Sequence, residues 1–303
     1  MQHLDPPALD ARDVYTTCIA NARFRTRKKL EAFTDDVVDA AEIYEGAARG
    51  QALHTLTGLA AQPHALTDRK VLEGVYTDRM VRDRAPGRRI YEALRGTTDD
   101  EGRRRENRCP LCGEGLVTTL DHHLPKSHYP LLSVVPVNLV PACGDCNKIK
   151  LDAVPISAGD QTLHPYFDDF SHYAWLRARI RRPRGSEKLS VKFFVAPHPE
   201  WDATLTARLG SHLKVFDLDF RYSLLVSSHI AATNHGLMIM PSKYIAPMLA
   251  RRAEGWRCRG NPNTMGCALF KALAADEWYV NGGWGEPSPG VNLDLDYPDE
   301  TLD

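Results

Sequence analysis

Four thiols, with a short polar cluster between them, carry most of the chemistry this sequence offers. Cys109-Pro-Leu-Cys112 and Cys143-Gly-Asp-Cys146 form two Cys-x-x-Cys knuckles separated by 30 residues. Each knuckle presents two sulfurs to one ion, which matches tetrahedral zinc; iron is the other thiolate-bound choice. A site of four cysteines leaves no open position for substrate, so the ion it implies is structural. Between and beside the knuckles lie Asp121-His122-His123-Leu124-Pro125, then Asn138-Leu139-Val140-Pro141, then Asn147-Lys148-Ile149-Lys150. A carboxylate next to an imidazole has a direct use. The carboxylate holds a hard divalent cation, and the imidazole takes a proton from water. The Asn147 amide offers that cation a second oxygen, and magnesium accepts so sparse a set because it keeps waters and phosphate as its other ligands.

The combination Cys-x-x-Cys, Asp-His-x-x-Pro, Asn-Leu, Cys-x-x-Cys-Asn-x-x-Lys resembles the HNH endonuclease family, in its four-cysteine, zinc-containing form. The resemblance covers about 45 of the 303 residues, from Cys109 to Asp152. It implies a ββα-metal fold, with two antiparallel strands and a helix around one catalytic Mg2+ or Mn2+ ion. It implies that Asp121 is the first ligand of that ion, His122 the general base and Asn147 the second ligand. Asn138 takes the middle position of the motif and orients the loop or the histidine. Cys109, Cys112, Cys143 and Cys146 become structural zinc ligands. The implied activity is hydrolysis of phosphodiester bonds, in DNA first, leaving 5′-phosphate and 3′-hydroxyl ends.

His123 competes with His122 for the role of base. Neighbouring side chains on a strand face opposite sides, so one of the two faces the ion, and the three-residue step to Pro125 selects His122. His128 reads as a loop residue. Lys150 lies one helical turn beyond Asn147, where it either faces phosphate or is an ordinary solvated lysine.

These residues need elements to hold them. Thr34 reads as an N-cap before Asp35 and Asp36, with Val37, Ala41 and Tyr44 on the apolar face of a helix that stops at Gly50. A second helix runs from Thr67 through Val71 and Val75 to Met80, and a third with Tyr91 and Leu94 follows Pro86-Gly87. Residues 96–108 read as a polar linker. Val191–Val195 has the character of a strand. Residues 202–236 read as helical with Leu213, Phe216, Phe220, Leu224 and Ile230 in the core, and 268–275 as a short helix. The expected architecture is α+β and predominantly helical: a helical N-terminal region (1–95), a central ββα-metal module with its zinc (96–160), and a mainly helical C-terminal region (161–303) for substrate or partner.

Composition narrows the classes. A 43% hydrophobic, 25% charged chain is ordinary for a soluble globular protein and excludes a disordered one. The net charge of −1 excludes a uniformly basic coat but not a local patch. One such patch spans 177–192, where Arg181, Arg182 and Arg184 are candidate nucleic-acid contacts, with Tyr173 and Trp175 beside them to stack on bases. Arg103–Arg105 form another. Seven cysteines, an odd number, argue against a disulfide framework. Absence of a secretory signal or an apolar span predicts a cytoplasmic protein with no membrane partner.

Two other chemistries fit less well. A zinc nucleobase deaminase needs His-x-Glu upstream of its cysteine pair, whereas His198-Pro199-Glu200 lies downstream. A redox centre needs only one Cys-x-x-Cys. The alternative to a nuclease is a non-catalytic zinc-ribbon module that binds nucleic acid or a partner. Bacterial defence or mobile-element biology is the expected context, with an ATPase or sensor subunit as the kind of protein partner it would bring.

Overall fold

The computed structural model describes residues 1–96, 107–182, 189–257 and 261–285. Arg103–Arg105, Arg184, Cys258 and the acidic tail lie outside them.

Among the described residues, six helices precede the first knuckle: α1 (Ala11–Ile19), α2 (Phe24–Glu31), α3 (Thr34–Arg49), α4 (Thr57–Ala60), α5 (Leu66–Tyr76) and α6 (Arg88–Arg95), with α5 extended by a π turn over Thr77–Val81. In α3 the residues Val37, Ala40, Ala41, Tyr44 and Ala48 are buried at helical spacing. Thr34 is not its cap. It already lies inside the helix, and its hydroxyl donates to the Glu31 carbonyl at 2.8 Å, because Phe33 closes the preceding turn directly onto α3.

The stretch between the knuckles forms two short antiparallel strands, β1 (Thr119–His122) and β2 (Leu139–Ala142), with Asp121 opposite Val140 and His122 opposite Leu139. Helix α7 (Gly144–Lys150) follows β2 directly and packs on β1.

A second antiparallel pair, β3 (Leu176–Arg181) and β4 (Ser190–Val195), leads into α8 (Ala203–Val215), α9 (Leu218–Leu237), α10 (Ile245–Gly255), α11 (Met265–Ala275) and the short α12 (Glu277–Val280). The protein is mainly helical, with two small sheets among the described residues.

The expected helix over 202–236 is two helices. The break falls at Asp217, whose φ of 49° is left-handed. In α9 the buried set is Leu218, Tyr222, Val226, Ile230, Thr233 and Leu237. Phe220 and Leu224 are two residues out of phase with that set, and are therefore exposed rather than in the core. Trp175 is also misplaced by the sequence reading. It is sealed in the core and has no face to offer a base.

Two hydrophobic cores meet at the β1–β2 hairpin. Leu120, Leu124 and Leu139 join the core of the N-terminal helices. Val140, Ala142 and the four knuckle cysteines join the core of the C-terminal helices. The polar cluster thus sits on a hairpin gripped from both sides.

Candidate functional site

The thiols converge. The ligand atoms of Cys109, Cys112, Cys143 and Cys146 all lie within 4.8 Å of one another, and all four residues are buried. The Cys112 and Cys143 sulfurs are 3.9 Å apart, close to the ~3.8 Å that tetrahedral Zn–S bonds of about 2.3 Å impose. The first knuckle is shaped by backbone bonds from Cys109 N to Gly115 O and from Gly113 N to Cys109 O, each 2.7 Å. Gly115 is required there, because a Cβ would lie 2.7 Å from Cys143 Cβ and 2.8 Å from its sulfur. In the second knuckle Cys143 caps α7, its sulfur accepting from Cys146 N at 3.4 Å.

The C-terminal region closes over this cluster. Arg221 on α9 donates to the Cys146 sulfur at 3.2 Å, and the Tyr222 hydroxyl donates to Cys112 O at 2.6 Å. Four thiolates around a dication carry a net double negative charge, which an adjacent guanidinium offsets. The donor set, its spacing and this counter-charge all fit one structural ion.

On β1, side chains alternate as the pleat requires. His122 faces the N-terminal helices. Its ring packs edge-on to Tyr76, with centroids 4.4 Å apart, and its Nε2 is 2.9 Å from the Ser133 carbonyl. A carbonyl can only accept, so Nε2 carries the proton and Nδ1 keeps its lone pair. Among the described residues Nδ1 has no hydrogen-bond partner, and it is not one of the polar atoms sealed from solvent. Burial pushes the His122 pKa down to about 3, so the ring is neutral near pH 7.

His123 points the other way. Its ring lies against that of His164, with centroids 4.1 Å apart, and lines a cavity of 260 Å³ with Lys150, Asp160, Gln161 and Lys214. His164 is fixed in turn: Tyr166 N donates to its Nδ1 at 3.1 Å, so its Nε2 carries the proton facing the Tyr44 hydroxyl at 2.8 Å.

Asp121 is buried, and burial raises its pKa. Its two oxygens lie 3.1 and 3.4 Å from Lys150 Nζ, which also donates to His122 O at 2.6 Å. This corrects the expectation that Lys150 faces phosphate or solvent. Its side chain folds back along α7 onto β1, because a carboxylate inside the protein requires a counter-charge. Asn147, one turn earlier on the same helix face, is partly exposed and makes no side-chain hydrogen bond among the described residues.

Asn138 is fully buried and ties the intervening loop shut. Its Oδ1 accepts from Leu124 N at 2.8 Å, and its Nδ2 donates to Leu124 O at 3.0 Å and Leu132 O at 3.2 Å. Because Ser133 follows Leu132 directly, the same clamp holds the carbonyl that fixes His122.

Of the basic candidates, Arg181 is exposed, while Arg182 lies 3.8 Å from Asp276 and over the Trp278 ring. Sequence reading missed Arg221, Tyr76 and Ser133. Arg221 stands in no motif, and Ser133 acts through its backbone carbonyl, which leaves no residue-type signal.

Comparison with known proteins adds one relative. No protein-family model matches the chain, and no solved structure matches it. Protein ea31 of Escherichia phage lambda is 29% identical over 164 residues. Those residues are 53% of this chain and 52% of ea31, so the chain spans about half the length of this curated relative. Among the described residues no helix is long and apolar enough to cross a membrane.

Proposed function

We propose that the chain is an endonuclease of HNH type that hydrolyses phosphodiester bonds, with DNA as the first substrate to test. The observation that carries the reading is His122. Its Nε2 is committed to a backbone carbonyl and its Nδ1 lone pair is free, on a strand end that a buried asparagine and a four-cysteine clamp hold in place. An imidazole fixed in this tautomer by a third group is what a general base requires.

In this reading His122 takes a proton at Nδ1 from a water as the water oxygen bonds to phosphorus, and the P–O3′ bond breaks, the 3′-oxygen leaving as a hydroxyl with a proton from solvent. The approaching phosphate anion raises the affinity of the buried ring for a proton, towards the neutral range where a base works best. Asn138 keeps the Ser133 carbonyl in place and so keeps the tautomer. Cys109, Cys112, Cys143 and Cys146 hold zinc as a structural clamp within the core of the C-terminal helices.

The second ion of the family resemblance fits less well. Asp121 and Asn147 are oxygen donors of the right type for Mg2+ or Mn2+, but both Asp121 oxygens already face the Lys150 ammonium. A dication there requires the lysine to leave. That same ion pair favours a second reading, a zinc-stabilised module without catalysis, in which Asp121 and Lys150 are purely structural.

The similarity to a phage-encoded protein accords with a mobile-element or defence setting. Incubating the zinc-loaded full chain with supercoiled plasmid, linear duplex, single-stranded DNA and RNA, with Mg2+, with Mn2+ or with neither, separates the readings. Cleavage giving 5′-phosphate ends supports the nuclease. Intact nucleic acid in every arm leaves the module.

A further inference from the structure

The β3–β4 hairpin has two unlike faces. Leu176, Val191 and Phe193 are buried, and Ala178, Ile180 and Val195 pack against the same core. The other face carries Arg177, Arg179 and Arg181 on β3 and Lys192 and Phe194 on β4, with Arg177 opposite Phe194 and Arg179 opposite Lys192. The four cations are exposed, and none has an ion-pair partner among the described residues. No acidic residue stands on either strand.

We infer that this outer face of the hairpin is a binding surface for duplex DNA, contacting its phosphates. Three arginines at alternate positions of one strand span about 13 Å, with a lysine alongside on the next strand, and a two-stranded ribbon is narrow enough to enter the major groove. Single-strand binders depend on a series of aromatic platforms. Here Phe194 is the one aromatic on the face, and the Arg179 guanidinium already covers it, 5.4 Å from the ring centroid. The chemistry therefore favours a phosphate-lined duplex over unstacked bases.

The hairpin is also joined to the site. Phe193 N donates to Asp219 on α9 at 2.7 Å, and the Phe193 ring packs on Tyr222, whose hydroxyl bonds the first knuckle. A duplex seated on the ribbon is thus held by elements continuous with the zinc clamp. The inference takes DNA from the nuclease reading but concerns binding, which is measurable without cleavage.

The test is fluorescence anisotropy of the zinc-loaded full chain with a labelled duplex, without added Mg2+ or Mn2+, across a salt series. It compares the wild type with a variant carrying R177Q, R179Q, R181Q and K192Q. These exposed changes touch no core contact, and zinc content and circular dichroism verify the fold. Each lost phosphate contact lowers the log–log salt slope by about 0.9 and the affinity by roughly eightfold at ~0.1 M salt. The combined variant is expected to lose about 10³-fold and to flatten the slope by about 3–4. Equal binding by the variant overturns the inference, as does a wild type that ignores duplex or prefers single-stranded DNA, RNA or an acidic protein. A wild type that binds through these residues yet never cuts refutes the nuclease reading and leaves the ribbon standing.

Discussion

Replacing Asn138 with alanine should cost far more than a typical buried polar substitution. The side chain makes three hydrogen bonds, two of them to the Leu124 amide and carbonyl and one to Leu132 O. The Leu132 carbonyl keeps a second donor, Val135 N at 3.3 Å. The Leu124 amide and carbonyl have no other partner among the described residues, and Leu124 is fully buried. Orphaning two buried backbone groups costs about 1–3 kcal/mol each, and the third bond adds about 1 kcal/mol. The expected loss is about 3–7 kcal/mol, read as a shift in the urea midpoint at constant slope. Asn138→Asp sharpens the test. It keeps the acceptor for Leu124 N but sets a carboxylate against two carbonyl oxygens, so its protonated form is the favoured one in the fold. The pKa of that aspartate is raised on folding, so its penalty is largest at neutral pH and shrinks as pH falls. A loss below about 1 kcal/mol for the alanine, or an aspartate penalty that grows on acidification, would refute the claim that this amide closes the loop.

Three further outcomes follow from other parts of the site. Gly115→Ala should release zinc, measurable with a metallochromic dye, because its Cβ would press on the Cys143 sulfur; full zinc retention contradicts that geometry. Lys150→Met should destabilise by about 3–5 kcal/mol by stranding the Asp121 carboxylate, and Asp121→Asn should restore most of the loss in the double variant; additive losses would show that the pair is not coupled. Burial holds the His164 pKa down at about 3, below the ~6.5 of the unfolded chain. The unfolded state therefore binds the extra proton between those values, and His164 costs stability as pH falls below about 6.5. Glu114, pushed up to about 7 by burial and the Cys112 charge, works in the opposite sense, so the comparison must be between variants. His164→Gln should flatten the dependence of stability on pH between about 6.5 and 5, by about 0.7 kcal/mol per unit at the upper end and about 1.3 at the lower, and an unchanged slope would count against it.

What the sequence disclosed follows from which signals are local. Cys-x-x-Cys is a local geometry, so the convergence of four cysteines across 30 residues was legible. Tyr91 and Leu94, buried on α6, and the strand at 191–195 were legible for the same reason, since periodicity is written into neighbours. Phe220 and Leu224 misled because they are large and apolar, while the face of α9 that is buried is set by Leu218, Tyr222 and Val226. The run at 177–182 read as charge alone; the alternate Leu176, Ala178 and Ile180 that make it a strand are small or interleaved with arginine. The partners of the site residues were the hardest to foresee. Ser133 O, the Tyr76 ring and Arg221 come from distant segments, and nothing in their types marks them. Lys150 was placed on the right helix face but given the wrong neighbour, because reach along a helix depends on what the next layer buries.

The most direct measurement is the single-turnover cleavage rate of plasmid DNA by zinc-loaded wild type and by His122→Asn, with folding and zinc content matched. General-base removal costs about 10²–10⁴-fold, and a loss of that size with DNA binding retained is the outcome expected. Cleavage by the variant within a few-fold of wild type would contradict the assignment of His122 as the base.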